Sequence, residues 1–192
     1  MAQHHAQSYG KASMIPPQTS EPAPQNDVRV ENRAVTNDDL AALTALQAHV
    51  FGPGRFARTA YRVREGTPAI SPYCRAAFST NGLVASLRMT RIAIGGQGPH
   101  LLLGPLAVDP RFTGLGHGRS LIAEALALAR HDGIGLVVLV GDLPYYERFG
   151  FQPVPPGQIT LPGPVDPARI LVCELTLGAA STARGVLTPV KM

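Results

Sequence analysis

Asp109-Pro110-Arg111-Phe112-Thr113-Gly114-Leu115-Gly116-His117-Gly118 stands between an apolar run, Leu101 to Val108, and an amphipathic run, Arg119 to Asp132. The fold turns on how this stretch is read. Glycines at the alternate positions 114, 116 and 118 let the backbone turn tightly and clear side chains from the loop. The first N–H groups and the dipole of the following helix then point into it, which suits a phosphate. Two phosphate motifs fail on spacing. A Walker loop needs Lys where Arg119 precedes Ser120, and the dinucleotide fingerprint would need glycine at Arg119 or Leu121. Within the helical run Leu121, Ile122, Ala125, Leu128 and Ala129 share one face, and Gly133 fits a left-handed cap.

Working outward, Val28 to Arg33 alternates as a strand. Thr36 and Asn37 then open a helix whose Leu40, Leu43, Leu46 and Val50 lie on one face and which Gly52-Pro53-Gly54 stops. A second helix is predicted over Arg55 to Glu65, with Phe56, Ala60 and Val63 at helical spacing and Arg55, Arg58, Arg62 and Arg64 on its other faces. Strands follow at Tyr73 to Phe78, Leu83 to Ile94 and Leu101 to Val108, the first two joined at Thr80-Asn81-Gly82. Beyond the glycine loop and its helix come an apolar strand, Ile134 to Val140, a short helix, Leu143 to Phe149, and a last strand, Arg169 to Leu177. Strand, loop, helix and strand within so short a span require a parallel crossover. The expectation is an α/β (α+β) domain over residues 28–177 with a mixed, largely antiparallel sheet flanked by helices. Residues 1–27, rich in Gln, Pro, Ser and Ala, read as a disordered tail, and 178–192 as a loosely ordered end.

The 192 residues carry 17 Lys plus Arg against 13 Asp plus Glu, a net charge of +4, and a calculated pI near 9.4. That excess is too small and too dispersed to indicate nucleic acid. At 45% hydrophobic residues the chain can bury a full core. No apolar run reaches membrane-spanning length and no signal-peptide pattern opens the chain, so a soluble cytoplasmic protein is expected. Cys74 and Cys173 each lie in apolar or aromatic surroundings and read as buried free thiols, and the isolated pair His4 and His5 has no companion ligands, so no metal is expected.

The glycine loop resembles the acetyl-CoA pyrophosphate loop of the GNAT superfamily of N-acetyltransferases. Gly116 and Gly118 stand at its glycine positions, Leu106 to Pro110 at the preceding strand and exit, and Thr113 where the family has Gln or Arg. Tyr145-Tyr146-Glu147-Arg148-Phe149-Gly150-Phe151 resembles the family's aromatic-Tyr-x-x-x-Gly-Phe segment, and Leu139 to Tyr146 is similar to a bacterial subgroup of these acetyltransferases. The resemblance implies a sheet splayed between strands 4 and 5, with the donor acetyl-CoA in the gap. It places the N–H of Leu106 at the thioester carbonyl, Ala107 and Val108 along the pantetheine, and Thr113, Gly114, Leu115, Gly116, His117, Gly118 and Arg119 around the pyrophosphate. Gly104-Pro105 offers a cause for the splay, since proline donates no ladder hydrogen bond and glycine tolerates a bulge.

Under the same resemblance Tyr146 is the acid that protonates the departing thiolate; the plain alternative is a packed aromatic. The family's glutamate on the fourth strand corresponds to Leu102, so no base is assigned, and His100, Asp109 and Asp142 are candidates by location only. Arg58 and Arg62, with Arg55 and Arg64, can bind a carboxylate or phosphate on the acceptor or simply face solvent. The reaction implied is direct attack of a small-molecule or peptide amine on acetyl-CoA. The alternatives are a non-catalytic acyl-CoA-binding module and a nucleic-acid module, for which the arginine stretch supplies only Phe56 and Tyr61 as aromatics. Neither membrane nor nucleic acid is expected as a partner, and a homodimer stays open because dimers are common in such families.

Overall fold

The computed structural model describes residues 29–54 and 59–191. The expected tail over 1–27 and the candidates Arg55 and Arg58 lie outside the described residues. Among the described residues the sheet has nine strands, seven of them on one path in the order β1 (Glu31–Ala34), β2 (Arg75–Ser79), β3 (Gly82–Ile94), β4 (Gln97–Val108), β5 (Leu136–Val140), β8 (Ile170–Glu174) and β6 (Gln152–Pro153). Off this path, β9 (Gly185–Pro189) pairs with β3 and with β7 (Ile159–Thr160). Neighbours on the main path are antiparallel except β4 and β5, which run parallel as the crossover through α3 (His117–His131) requires. The β3–β4 reversal is a two-residue turn at Gly95-Gly96, whose φ values of 57° and 80° belong to the left-handed region that glycine enters freely.

Alternation along the strands separates two apolar layers. Leu101 and Leu103 of β4 join Leu121, Ile122, Ala125, Val137, Leu139 and Phe151 beneath α3, while Leu102 joins Ile92, Leu136, Val138 and Leu187 on the opposite face. On that opposite side Leu43 of α1 (Leu40–Phe51) packs on Ala76, whereas Ala77 belongs to the α3 layer. Ahead of α1, Asp39 accepts from both terminal nitrogens of Arg33 at 2.8 and 2.7 Å and from the Thr36 N–H at 2.8 Å, tying β1 to the start of the helix. The Arg33 hydrogen bonds hold the Asp39 carboxyl well below the usual carboxylate range. Both cysteines are free and buried. No helix of the described residues is long and apolar enough to cross a membrane.

Three sequence readings change. Residues 178–192 carry α5 (Ala179–Thr182) and β9, and β9 pairs Pro189, Thr188 and Leu187 with Ile92, Ala93 and Ile94. The expected loose end is therefore replaced by an internal strand whose Leu187 is fully buried. The helix expected over 55–65 appears, within the described residues, as α2 (Thr59–Arg62) followed by turns. Arg64, grouped with exposed arginines, is buried. Leu187→Ala should lower stability by about 2–5 kcal/mol, the usual cost of emptying a core leucine site. Urea denaturation measures this, and a loss within error would mean that β9 is only laid on the surface.

Candidate active site

β4 and β5 are partners for three residues only. His100, Leu101 and Leu102 pair with Leu136, Val137 and Val138, and no pairing follows. On its other edge β4 keeps its partner by a bulge. Leu87 pairs with Leu106 and Met89 with Leu103, so β4 spends one residue more than β3 at Gly104-Pro105, where Gly104 has φ +111°. Register resumes at Leu106, Ala107 and Val108 opposite Leu87, Ser86 and Ala85.

The direction of the freed backbone follows from one hydrogen bond. Asp109 N–H donates to Val84 O on β3 at 2.8 Å. Peptide groups alternate along a strand, so the N–H and C=O groups of Leu106 and Val108 face the other edge, where β5 has departed. The fork thus presents two peptide units on one line, about 7 Å apart at a strand rise of ~3.3 Å per residue.

Two cavities adjoin this line. The fork cavity, about 640 Å³, is lined by Leu103 to Leu106, Leu139 to Asp142, Tyr146, Tyr61 and Arg64 among others. The loop cavity, about 440 Å³, is lined by Val108, Phe112, Thr113, Gly114, Gly116 to Arg119, Tyr145 and Arg148. Leu106 borders the first and Val108 the second, while the edge-to-face pair Tyr145 and Tyr146, 4.8 Å apart and nearly perpendicular, contributes one ring to each. An elongated ligand can follow β4 from one cavity into the other.

The loop is built for close approach. Gly114 and Gly116 have φ of 82° and 90°, and Gly116 is the N-cap of α3. The first N–H groups of that helix have no intrahelical acceptor and carry the positive end of its dipole toward the loop. At Gly118 a Cβ would lie 3.2 Å from Val108, 3.4 Å from the Tyr145 hydroxyl and 3.5 Å from Leu106, so the absence of a side chain seats the helix on β4. His117, Arg119 and Arg148 line the same cavity and give it basic character, with the Arg148 guanidinium 5.5 Å over the Tyr145 ring. Leu115, named with the loop, is exposed and lines a separate cavity beside Asn32 and Glu124. Ala107 is fully buried and alternates away from the freed edge.

Tyr146 closes α4 (Leu143–Tyr146) and packs edge-on against Phe151, 5.8 Å between centroids. Burial, reinforced by Tyr145, pushes its phenol up to about 12, so it stays protonated through the neutral range. Its ring lies so close to Gly141 that a Cβ there would come within 2.5 Å of Cε2. This dependence of the ring on one small residue is invisible in the sequence.

Other candidates are placed less favourably. His100 is buried at the far end of β4, in a cavity with Gly98, Pro99 and Gly135, and burial lowers its pKa. Asp109 pairs with Arg111 at 2.8 Å, which holds its carboxyl down to about 2. Asp142 does line the fork cavity, in an ion pair with Arg169 at 3.2 Å. Arg62 is exposed and is not among the residues lining the fork, whereas Arg64 is. Leu102 is fully buried, so the position carries no polar group toward the fork. No cluster of metal-ligating side chains occurs among the described residues.

Comparison with known proteins agrees with this geometry. The model of the Acetyltransferase (GNAT) family matches residues 41–151. The uncharacterized N-acetyltransferase YhbS of Escherichia coli K12 is 42% identical over 50 residues, 26% of this chain and 30% of that protein, so the chain spans less than a third of the curated relatives it matches. The crystal structure of E. coli YhbS in complex with CoA superposes with a TM-score of 0.72 at 24% identity, covering 89% of this chain and 93% of that one. A GNAT family acetyltransferase from Brucella melitensis, in complex with acetyl-CoA, gives 0.59 at 24% identity over 77% and 89%.

Gly141→Ala should displace the Tyr146 ring and cost about 1–3 kcal/mol, as overpacking does. Denaturant unfolding measures the loss. The double variant Gly141→Ala, Tyr146→Leu should recover part of it, and strict additivity of the two changes would mean that ring and glycine are not in contact.

Proposed function

Because the chain belongs to the acetyltransferase (GNAT) family, we propose that it moves an acetyl group from acetyl-CoA to a primary amine by direct attack. One observation carries the reading: the backbone of Leu106 and Val108 is freed at the β4–β5 fork, between a glycine loop opening a helix and a half-buried, protonated tyrosine. The cavities fit the donor in kind. N–H groups, helix dipole and arginines around Gly116 suit the pyrophosphate, the amide-bearing arm suits the peptide edge of β4, and the thioester end falls in the fork.

In this mechanism the amine nitrogen bonds to the thioester carbon, and the Leu106 N–H donates to the oxyanion that develops. The nitrogen sheds its proton to water, the carbon–sulfur bond breaks as the sulfur takes the Tyr146 proton, and the phenolate regains a proton from water. Tyr146 suits the role because desolvation keeps its proton in place through the neutral range, so that a donor is present when negative charge develops on the sulfur. Buried Cys74 and Cys173 are off the fork lining, in keeping with transfer that involves no acyl-enzyme. A second reading, acyl-CoA binding without transfer, draws on Leu102, which leaves that position of β4 without a carboxylate.

Acetyl-CoA supplied with a panel of primary amines should release free thiol. Tyr146→Phe, which keeps the ring and removes its proton, should lower kcat by about 10²- to 10⁴-fold, the span of a positioned general acid, while CoA still raises the melting temperature. Gly116→Glu, which fills the loop with like charge, should abolish that thermal shift. Thermal stabilisation by CoA with no thiol release from any amine would establish the binding reading instead.

A further inference from the structure

Arg64 is buried in the fork cavity, 6% exposed, without a counter-ion among the described residues. Its Nη2 donates to Leu103 O at 3.4 Å and its Nη1 to Ala60 O, while its Nε is buried with no partner. No carboxylate pairs with it among the described residues; the charged neighbour that acts on it most is Arg88, another cation. Burial and Arg88 together press its pKa down to about 9. A guanidinium held out of water against neutral carbonyls is costly unless an anion completes its hydrogen bonds, and its fork of donors matches a carboxylate.

The remaining charges of the cavity are already engaged. Asp142 pairs with Arg169 at 3.2 Å, and the Asp166 carboxylate accepts from Ala168 N–H at 3.0 Å. Both acidic side chains are exposed, so they stand at the solvent side while Arg64 stands within. Arg64 also adjoins the reacting end of the fork. The point a Cβ of Gly104 would occupy lies 3.5 Å from Arg64 Nη2 and 3.8 Å from Leu106 N, and glycine leaves that point clear.

We propose that the acceptor amine also carries a carboxylate, and that Arg64 receives it. The inference rests on the acetyl-transfer reading above. Because Arg64 and the Leu106 N–H flank one small gap, carboxylate and amine belong to one compact, amino-acid-like molecule. A phosphate dianion fits less well, since a single unpaired cation faces it and two carboxylates share its cavity. The rival source of a carboxylate is a dicarboxylic acyl group on the donor.

The test compares glycine with glycinamide and β-alanine with β-alaninamide as acceptors of acetyl-CoA. The wild type should favour the free acids, and Arg64→Gln should reduce that ratio of kcat/KM by about 10- to 100-fold, the range of a charge-assisted hydrogen bond. Arg64→Lys should retain an intermediate ratio; it also carries the comparison where Arg64→Gln shows no thermal shift with CoA and has failed to fold. A ratio near one in the wild type, or an unchanged ratio in Arg64→Gln, overturns the proposal. A second arm needs no turnover. With CoA present, N-acetylglycine should raise the melting temperature of the wild type more than N-acetylglycinamide does, and the difference should vanish in Arg64→Gln. If no amine is acetylated yet this difference holds, the carboxylate site stands and the transfer reading falls. If the free acids are acetylated without dependence on Arg64, transfer stands and the site falls. Arg64-dependent preference for succinyl-CoA over acetyl-CoA, with no acceptor preference, would assign the carboxylate to the donor and overturn the proposal.

Discussion

The site depends on two parallel strands parting company after three residues. β4 must stay bonded to β3 while abandoning β5, and the bulge at Gly104-Pro105 lets it do both. An extra residue absorbed on the β3 side re-aims the strand, and proline leaves no N–H for a partner to claim. The consequence is a pair of peptide units, at Leu106 and Val108, with hydrogen-bonding capacity toward an open gap. Exposed strand edges are a liability in most folds. Here the edge is internal, walled by Tyr145 and Tyr146 on one side and by Tyr61 and Arg64 on another, so it is offered to a narrow ligand and withheld from another sheet.

The glycine loop and the tyrosines are arranged around that edge. Gly118 brings α3 into contact with Val108 and Leu106, and Gly141 admits the Tyr146 ring, so both ends of the gap are set by places where a side chain is missing. Packing of this kind is discrete: a methyl group in either place must displace a ring or a helix. The two cavities are thereby held in line along β4, with no part of the alignment entrusted to a long flexible side chain.

Much of this architecture was legible in the chain because it is written in local signals. The Asn81-Gly82 turn marked the β2–β3 hairpin, an apolar run marked β4, apolar spacing marked α3, and Gly104-Pro105 marked the bulge. The residues singled out at the loop, at Leu106, Val108 and Tyr146, line two adjoining cavities, while Leu115 and Ala107 do not share them and Arg62 faces solvent. What escaped was tertiary in origin. Arg64 sits among arginines of identical local pattern, and only the closure of the cavity over it separates it from Arg62. Gly141 is one glycine after a strand, unremarkable until the Tyr146 ring is seen against it. β9 is short and bounded by Gly185 and Pro189, and its strand character comes from the free edge of β3 that it completes.

The position of β9 has a consequence for how the molecule is made. β3 spans Gly82–Ile94, but the strand that caps its far end spans Gly185–Pro189, and the turn at Gly95 bonds to Val186. While the chain is being synthesised, the apolar face around Ile92, Ile94 and Leu102 stays uncovered until Leu187 has left the ribosome. Completion of the fold therefore waits on a segment made long after β3, and a premature stop upstream of Leu187 yields a product with a sticky flank, the kind that chaperones and proteases recognise.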